Sequence, residues 1–261
     1  MDKKVAFISG ATSGLGAAFA RHYAQQGYDL IITGHPQDKI SLDIGELKRK
    51  NDINIELILA DLASENDVKR VEEIIKKTKE IDVLINNAGF FFGKAFWKID
   101  ITSLENMVKV HISTPVRLIL AALPNMISNS KGTIINLSSL VSFMPVPQDA
   151  MYSATKVFSN SFMESLHISF KNKGIKVQVL CPGFVRNTNF HERAGFKLSG
   201  LKNWDILPWM EPENVVKISV RNLRKKNKVV VIPGFRNRTI KFIISVLPRP
   251  LYYRFATRFL Q

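Results

Sequence analysis

The feature that most constrains this 261-residue chain is a regular alternation of short apolar runs with amphipathic windows. The apolar runs are VAFIS, LIIT, IELIL, DVLIN, GTIINLS, KVQVL and KVVVI, and the helical windows cover 14–27, 38–50, 65–78, 102–128, 151–172 and 211–226. Strands that are apolar throughout and joined by helices are typical of a parallel sheet covered on both faces. The sequence therefore predicts one doubly wound α/β domain, over residues 1–233.

The composition sets the compartment that we expect. The chain is 46% hydrophobic and 23% charged, as in ordinary globular proteins. Its single cysteine, Cys181, cannot form an internal disulfide, and Met1 to Lys4 run directly into the first apolar run, which predicts a cytoplasmic protein. The longest apolar run of the tail, 242–247, is far shorter than the roughly 18 residues of a spanning helix, so we expect no membrane-crossing segment.

The net charge of +15 is concentrated at one end of the chain. Residues 214–261 carry 12 of the 37 Lys and Arg and none of the 22 Asp and Glu, which leaves a net charge of only +3 for the first 213 residues. No known reading motif for DNA or RNA accompanies this charge, so nucleic acid is not a predicted partner.

A glycine-rich turn, SGATSGLG, lies between the first apolar run and the first helical window. Gly10, Gly14 and Gly16 allow the backbone to turn sharply and to approach a pyrophosphate, which the positive end of the following helix would stabilise. The spacing differs from the G-x-G-x-x-G pattern of other dinucleotide folds. A turn that simply ends a strand is the alternative.

A second turn, NNAG at 86–89, follows the run DVLIN. Two asparagines, a small residue and a glycine suit a backbone packed beside a cofactor. A turn stabilised by asparagine side chains is the alternative interpretation.

A tyrosine and a lysine lie four residues apart in the window 151–172. In a helix Tyr152 and Lys156 share one face, and the nearby cation would lower the phenol pKa from about 10 toward the working range of an acid/base group. Tyr152 would protonate the carbonyl oxygen of a substrate as hydride arrives. Ser139, at the end of GTIINLS, could donate a hydrogen bond to that same oxygen. A solvated helix face is the usual alternative for an isolated pair.

Taken together, these motifs resemble the short-chain dehydrogenase/reductase superfamily over residues 3–233, through 10–16, Asp61-Leu62, 86–89, Ser139, Tyr152, Lys156 and Pro182-Gly183. The resemblance implies a Rossmann-like sheet of about seven strands, with Tyr152 as acid/base, Lys156 lowering its pKa and binding the nicotinamide ribose, and Ser139 polarising the substrate. It implies that the cofactor contacts Gly10, Thr12, Ser13, Gly14, Leu15, Gly16, His35, Asp61, Leu62, Asn87, Ala88, Gly89, Tyr152, Lys156, Pro182, Gly183, Val185 and Thr188. No metal site is predicted.

Two positions depart from the family pattern. His111 stands where the family usually has an asparagine that anchors a water in a proton relay, so it either relays protons in altered form or is a hydrogen-bonded core histidine. Thr188 lies one place beyond the usual threonine, with Asn187 in its slot, and either could bind the nicotinamide carboxamide.

The cofactor preference follows from the segment after the second run, LIITGHPQDK. No acidic residue stands where it would bind the free ribose hydroxyls of NAD, which favours NADP(H) over NAD(H). His35 occupies the place of the arginine found in many NADP-binding members, and Ser13 and Lys39 could assist it.

Aromatic and large apolar residues cluster after three of the motifs and predict an apolar, lipid-like or steroid-like carbonyl or alcohol substrate. They are Phe90, Phe91, Phe92, Phe96, Trp97, Phe143, Met144, Phe184, Phe190, Phe196, Leu201, Trp204, Trp209 and Met210. Core packing or subunit contact is the alternative, mainly for the first five.

The tail at 234–261 is predicted to form two basic amphipathic helices on either side of Pro248 to Pro250. One apolar face would contain Ile240, Ile243, Ile244 and Leu247, and the other Leu251, Phe255 and Phe259. Such helices could lie on an anionic membrane, cap the substrate loop or form a subunit interface.

The sequence thus predicts an NADPH-preferring oxidoreductase that interconverts an apolar ketone and a secondary alcohol. From the family we expect a homodimer or homotetramer. The rival prediction is a non-catalytic NADP-binding regulatory protein with the same fold.

Overall fold

The computed structural model of the protein describes residues 3–147, 150–186, 190 and 209–259. Seven strands in these ranges form one parallel sheet in the order β3-β2-β1-β4-β5-β6-β7. The strands are β1 (Val5–Ile8), β2 (Asp29–Gly34), β3 (Ile55–Leu59), β4 (Val83–Asn86), β5 (Gly132–Leu137), β6 (Ile175–Leu180) and β7 (Val230–Val231). The predicted sheet of about seven strands is confirmed.

Helices follow the strands in alternation. They are α1 (Gly14–Gln25), α2 (Ile44–Asn51), α3 (Glu65–Lys77), α4 (Ile101–Val108), α5 (Thr114–Ser128), α6 (Ala150–Phe170), α7 (Pro212–Lys225), α8 (Phe235–Val246) and α9 (Arg249–Phe259). Single turns of 3₁₀ helix cover Phe96–Lys98 and Leu140–Phe143, and a π-helical turn covers Lys109–Ser113.

The core lies on both faces of the sheet because successive side chains of a strand point to opposite sides. In β1, Ala6 and Ile8 belong to the apolar cluster on one face, and Phe7 belongs to the cluster on the other. All three side chains are fully buried. This two-sided burial explains why the strands are apolar throughout, and the doubly wound prediction is confirmed.

The strand order reverses between β1 and β4. From β1 the chain continues to β2 and β3 on one side, and it then crosses to β4 on the other side of β1. In open parallel sheets the crevice at such a reversal, beyond the carboxyl ends of the strands, is where ligands bind. The turns that follow β1 and β4 meet in this crevice.

Helix α2 is shorter than the predicted window of 38–50. The segment before it is held as an extended turn, since Ser41 donates from its amide and its hydroxyl to the Thr12 carbonyl at 2.9 and 3.0 Å. Asp43 then caps the helix by accepting a hydrogen bond from the Glu46 amide at 2.8 Å. These local bonds compete with helix at 38–43.

The predicted helix at 102–128 is one continuous run of α4, the π-helical turn and α5. The run 101–128 is long and apolar enough to cross a membrane by length and composition, with a mean hydropathy of 1.3 over its most apolar window. Core helices of soluble proteins meet the same criterion, and half of that window is buried in this fold. Leu118, Ile119 and Met126 of α5 lie in the core beside the sheet.

Helices α8 and α9 pack beside the carboxyl ends of the strands. Asn237 of α8 is fully buried and donates to the Pro233 carbonyl at 2.8 Å. Tyr252 of α9 is buried and donates from its hydroxyl to the Pro145 carbonyl at 2.5 Å. The tail is therefore anchored to the segment between β5 and α6.

Candidate active site

The glycine turn after β1 is closed so tightly that side chains cannot be added to it. Gly10 and Gly14 have φ angles of +64° and +54°, which favour glycine. A Cβ on Gly16 would lie 2.1 Å from the Gly10 carbonyl oxygen. The glycines therefore allow the backbone to turn this tightly at the start of α1, which is where phosphates bind in dinucleotide-binding folds.

Asn87 fixes this turn from the neighbouring strand. Its Nδ2 donates to the carbonyl oxygens of Ser9 and Gly10 at 3.0 and 2.9 Å. In return Ser9 Oγ accepts from the amides of Asn87 and Ala88 at 3.0 and 3.1 Å. The two turns thus form one rigid unit, which agrees with the asparagine-stabilised turn, and the cofactor-wall interpretation of NNAG stays a prediction.

A carboxylate that the sequence analysis did not assign lies beside this turn. Asp38 Oδ2 accepts from Thr12 Oγ1 at 2.9 Å and from the His35 amide at 3.4 Å. His35 Nε2 lies 4.0 Å from Asp61 Oδ1. Asp38 reaches the glycine turn because the chain folds back after β2, whereas His35 is the residue that directly follows the strand.

Ser139 begins the 3₁₀ turn after β5, which packs against α6. Its Oγ accepts from the Val141 amide at 3.4 Å, and this leaves its hydroxyl hydrogen as a donor. The Leu140 amide donates to the Pro182 carbonyl at 2.8 Å. This bond joins the Ser139 turn to the Pro182-Gly183 segment.

Tyr152 and Lys156 lie on one face of α6, one turn apart, and both are buried. Lys156 Nζ is 5.4 Å from the centroid of the Tyr152 ring and donates to the Leu137 carbonyl at 3.0 Å. Burial lowers the pKa of Lys156 to about 8, and the thiol of Cys181 opposes this shift. Burial also raises the pKa of Cys181 to about 12, so that thiol stays protonated.

His111 lies in the π-helical turn, where both ring nitrogens have protein partners. Nε2 accepts from the Phe90 amide at 3.0 Å, so the neutral ring carries its proton on Nδ1, 3.0 Å from Thr155 Oγ1. Thr155 donates onward to the Tyr152 carbonyl at 2.8 Å. Burial and, second, the charge of Lys156 hold the pKa of His111 well below its usual value.

Aromatic rings form one wall of the site at Tyr152. The ring centroids of Phe91 and Phe190 lie 5.8 and 6.1 Å from that of Tyr152, and they lie 4.8 Å from each other. Phe90 instead packs against His111 and the core. Phe90 therefore fits the core-packing alternative. Phe91 and Phe190 instead lie against the Tyr152 ring, where a substrate wall is predicted.

The remaining predicted residues lie outside the two turns. Leu62 is buried with its carbonyl bonded to Thr114 Oγ1 at 2.8 Å, and Val185 forms an isolated parallel bridge with Met210. Thr188, Asn187, Phe196, Leu201 and Trp204 lie outside the described residues.

Sequence reasoning missed two side chains besides Asp38. Thr155 links His111 to Tyr152 through hydrogen bonds. The buried side chain of Asn237 packs directly against Gly183, since a Cβ added to Gly183 would lie 2.6 Å from Asn237 Oδ1. Thr155 lies within the Tyr-x-x-x-Lys spacing, and that was the only signal for it. Asn237 had no signal, because its position depends on how α8 packs.

A parallel sheet with a dinucleotide-type turn at its reversal point is typical of the class of Rossmann-like nucleotide-binding proteins. Within that class, the chain belongs to the short chain dehydrogenase family, whose model matches residues 4–196. It is an NAD(P)-dependent oxidoreductase that acts on a CH–OH or C=O group, as predicted.

Three similar proteins illustrate the family. The human very-long-chain 3-oxoacyl-CoA reductase is 28% identical over 246 residues, 93% of this chain and 72% of that protein. A short-chain dehydrogenase from Sphingobium yanoikuyae in complex with NADPH is 27% identical, with a TM-score of 0.80 over 94% of this chain and 97% of that one. The bulky-bulky ketone specific alcohol dehydrogenase from Comamonas testosteroni is 25% identical, with a TM-score of 0.77 over 95% and 96%.

Proposed function

We propose that the protein is an NADPH-preferring oxidoreductase that interconverts an apolar ketone and a secondary alcohol, with Tyr152 as general acid/base. The observation that carries this proposal is the buried pair on α6, in which the Lys156 ammonium lies 5.4 Å from the centre of the Tyr152 ring. A buried lysine that pairs with no acid among the described residues is costly to a fold, and such costs are concentrated at functional sites.

The residues present fit a nicotinamide dinucleotide. The phosphates would be bound by the backbone of the turn at 10–16, whose glycines leave no Cβ in the way. Asn87, Gly89 and Pro182-Gly183 would line the rest, and Lys156 would hold the nicotinamide ribose. When bound, this cofactor supplies or accepts the hydride.

The chain's own residues manage the proton and the charge on the carbonyl oxygen. The Tyr152 hydroxyl gives its proton to that oxygen during reduction, and the resulting phenolate is stabilised by the Lys156 ammonium. The Ser139 hydroxyl donates a second hydrogen bond to the same oxygen. In the oxidation direction Tyr152 takes the proton back.

We propose that His111 is a hydrogen-bonded core histidine, the second of the two roles expected for it, and that as such it positions Tyr152. Its Nε2 is occupied by an amide that cannot give up its proton, so relay through the ring would first require the bond to Phe90 to break. Its Nδ1–H bonds to Thr155, which bonds in turn to the Tyr152 backbone carbonyl, and the His111 and Tyr152 rings pack edge to face with centroids 5.7 Å apart. His111→Asn should therefore lower kcat more than it changes KM, with Thr155→Ser largely retaining activity.

The cofactor preference depends on residues that oppose each other. His35 follows β2 without a carboxylate at the strand end, which favours the 2′-phosphate of NADPH, whereas Asp38 beside it favours free ribose hydroxyls. The NADPH complex of the Sphingobium relative supports the first. Asp38→Asn should lower the KM for NADPH further; a wild type that prefers NADH until Asp38 is neutralised would reverse the assignment.

An apolar substrate is supported by the ring wall and by relatives. Phe91 and Phe190 flank Tyr152, so a substrate whose carbonyl meets the Tyr152 hydroxyl would lie against aromatic carbon. The similar proteins named above include one specific for bulky ketones and one for very-long-chain 3-oxoacyl-CoA. We expect a lipid-like or steroid-like substrate, and we expect the protein to act on it in the cytoplasm.

A homodimer or homotetramer is the assembly that we propose. Helices α5 and α6 expose large apolar side chains, among them Leu120, Val157 and Ile168, the last at 76% of its full exposure. Exposed apolar surface of this kind is typical of subunit contacts. Sedimentation of the purified protein measures the assembly directly.

The deciding experiment follows NADPH and NADH consumption by the purified protein over a panel of aromatic, lipid-like and steroid ketones. Tyr152→Phe is the matched control, because it removes only the hydroxyl. We expect turnover of apolar ketones that falls by about 10²–10⁴ in the variant, the usual contribution of a general acid. Cofactor binding, measured by fluorescence, should persist in the variant.

The rival function, a non-catalytic NADP-binding regulator, gives a different result. It predicts tight NADPH binding with no turnover of any ketone, and no difference between the wild type and Tyr152→Phe. Equal turnover by both proteins would contradict the role of Tyr152 itself.

A further inference from the structure

Helix α8 has a second apolar face that points away from the fold. Phe235, Phe242 and Val246 are 76%, 64% and 64% exposed, and Ile243 beside them is 52% exposed. The spacing of seven and four residues places the first three on one side of the helix. The opposite side carries Asn237 and the half-buried residues that contact the fold, so packing against the described residues accounts for only one of the two faces.

Helix α9 extends this surface. Leu251, Tyr253 and Phe255 are each about half exposed, while Tyr252 and Ala256 point inward and are buried. The outward apolar residues of α8 and of one side of α9 are called here the tail surface: Phe235, Phe242, Ile243, Val246, Leu251 and Phe255. Tyr253 is excluded because residues two apart lie on different sides of a helix.

Arginines accompany the tail surface along both helices. Arg236 and Arg238 of α8 and Arg249 and Arg254 of α9 are all exposed. The sequence from 214 to 261 contains no aspartate or glutamate. An apolar strip accompanied by arginines, on helices that contain no acid, is complementary to a surface that is apolar inside and anionic at its edge.

We propose that the tail surface docks on an anionic lipid bilayer, with the phenylalanines in the headgroup and acyl boundary and the arginines on lipid phosphates. A second copy of this chain is the less suitable occupant. In a two-fold interface the same patch meets itself, so its arginines would be enclosed with no acid of the patch to pair with them. Docking itself does not depend on the proposed enzymatic function.

The contacts of the tail connect the tail surface to the active site. Asn237 packs beside Gly183, Lys241 Nζ lies 5.8 Å from the Phe143 ring centroid, and Tyr252 bonds to Pro145. Gly183 and Phe143 belong to the segments that carry the Pro182-Gly183 and Ser139 motifs. A docked enzyme would therefore hold the region of its substrate site near the bilayer, where an apolar ketone partitions; this consequence rests on the proposed function.

The test measures binding of the full chain to vesicles by flotation, comparing phosphatidylcholine containing phosphatidylglycerol with phosphatidylcholine alone. We expect binding to the anionic vesicles that weakens with salt, since screening reduces the arginine contribution. Arg238→Gln with Arg254→Gln should weaken binding about 25-fold, from about fivefold for each arginine. Phe242→Ser with Val246→Ser should weaken it at least about tenfold.

The matched control is Lys48→Gln with Lys50→Gln on exposed positions of α2, near the opposite edge of the sheet. It removes the same charge and should leave vesicle binding unchanged. Point variants are preferable to deletion of 236–261, because deletion also removes the buried contacts of Asn237 and Tyr252. Urea unfolding checks that each variant is folded.

Three results would overturn the proposal. The first is that the wild type does not bind anionic vesicles, and the second is that the α2 control loses as much vesicle binding as the arginine variant. The third is that Phe242→Ser with Val246→Ser changes the oligomeric state in the absence of vesicles, which would make the tail surface a subunit interface. Turnover separates docking from catalysis: the arginine variant should keep its rate on a water-soluble ketone and lose rate on a vesicle-embedded one. No turnover of either ketone by the wild type would count against the proposed function alone.

Discussion

The cofactor turn and the tail surface lie on one protein but are built in opposite ways. In the turn, backbone carbonyls and amides are paired with Asn87 and Ser9, and an added Cβ meets backbone within 3 Å at Gly10 and Gly16. In the tail surface, large apolar side chains are half exposed or more. The polar groups of the turn are hydrogen-bonded within the chain, whereas the apolar side chains of the tail surface are left exposed. Substitutions should therefore affect stability strongly in the first region and little in the second.

The largest effect is expected from Gly16→Ala in the turn. The new Cβ would lie 2.1 Å from the Gly10 carbonyl oxygen and 2.6 Å from Asn87 Nδ2, so backbone must move. We expect a loss of about 3 kcal/mol in the free energy of unfolding, the upper end for overpacking, and loss of NADPH binding. Urea unfolding and fluorescence titration measure the two.

Gly45→Ala is the matched control for that substitution. Gly45 lies in α2, where the nearest atoms to a Cβ are 3.5 Å away, and alanine is the better helix former. Stability should stay the same or rise by up to about 1 kcal/mol. Equal losses in the two variants would show that the turn is no tighter than a surface helix.

The second prediction concerns the charge of Lys156, which is buried at the end of β5. Lys156 has a pKa of about 8 in the fold against 10.5 in its ordinary state, so between these values the unfolded chain binds more protons. The free energy of unfolding attributable to Lys156 therefore rises with pH over that window, by about 3 kcal/mol.

The measurement compares urea unfolding of the wild type and Lys156→Met at pH 7.5 and 10.5. Titration of all other groups cancels in the difference, so the wild type should gain stability relative to the variant as the pH rises. A difference in the free energy of unfolding that stays constant with pH would mean that Lys156 is solvated and that its charge does not destabilise the fold. Activity should fall above about pH 8, as the cation that stabilises the phenolate is lost.

The third prediction removes the bonds that join the two turns. Asn87→Ala deletes both donations to Ser9 and Gly10 and leaves their carbonyl oxygens without that donor. We expect a loss of about 2 kcal/mol in the free energy of unfolding and weaker NADPH binding, since unsatisfied buried groups cost about 1–3 kcal/mol. Asn129→Ala, at the exposed end of α5, is a control that should change neither. If stability falls but NADPH binding does not, the bonds serve the fold rather than the cofactor.

Much of the fold and of the turn could be predicted because they depend on patterns near in sequence. Strands buried on both faces read as apolar runs, and the reversal of strand order brings motifs after β1 and β4 together in any such sheet. The part that could not be predicted depends on side-chain contacts between distant segments. Asp38 folds back onto Thr12, Thr155 connects His111 to Tyr152, and Asn237 reaches Gly183. None of these contacts leaves a periodic signal in the sequence.

The smallest effect, and the sharpest test of the comparison, is expected from Phe242→Ser in the tail surface. Phe242 is 64% exposed in the isolated chain, so little of its apolar area is lost from the core by the change. The free energy of unfolding in the absence of lipid should change by less than about 0.5 kcal/mol, as for other surface substitutions. Urea unfolding measures it beside Asn87→Ala.

Phe143→Ser is the matched control for Phe242→Ser, because Phe143 is the same residue type packed against the core and Lys241. It should cost about 2 kcal/mol or more. If Phe242→Ser proves as destabilising as Phe143→Ser, the outer face of α8 is already buried in solution against another part of an oligomer, and the difference between the two regions disappears. If it is nearly neutral, the phenylalanine contributes little to folding, and its exposure is explained by binding instead.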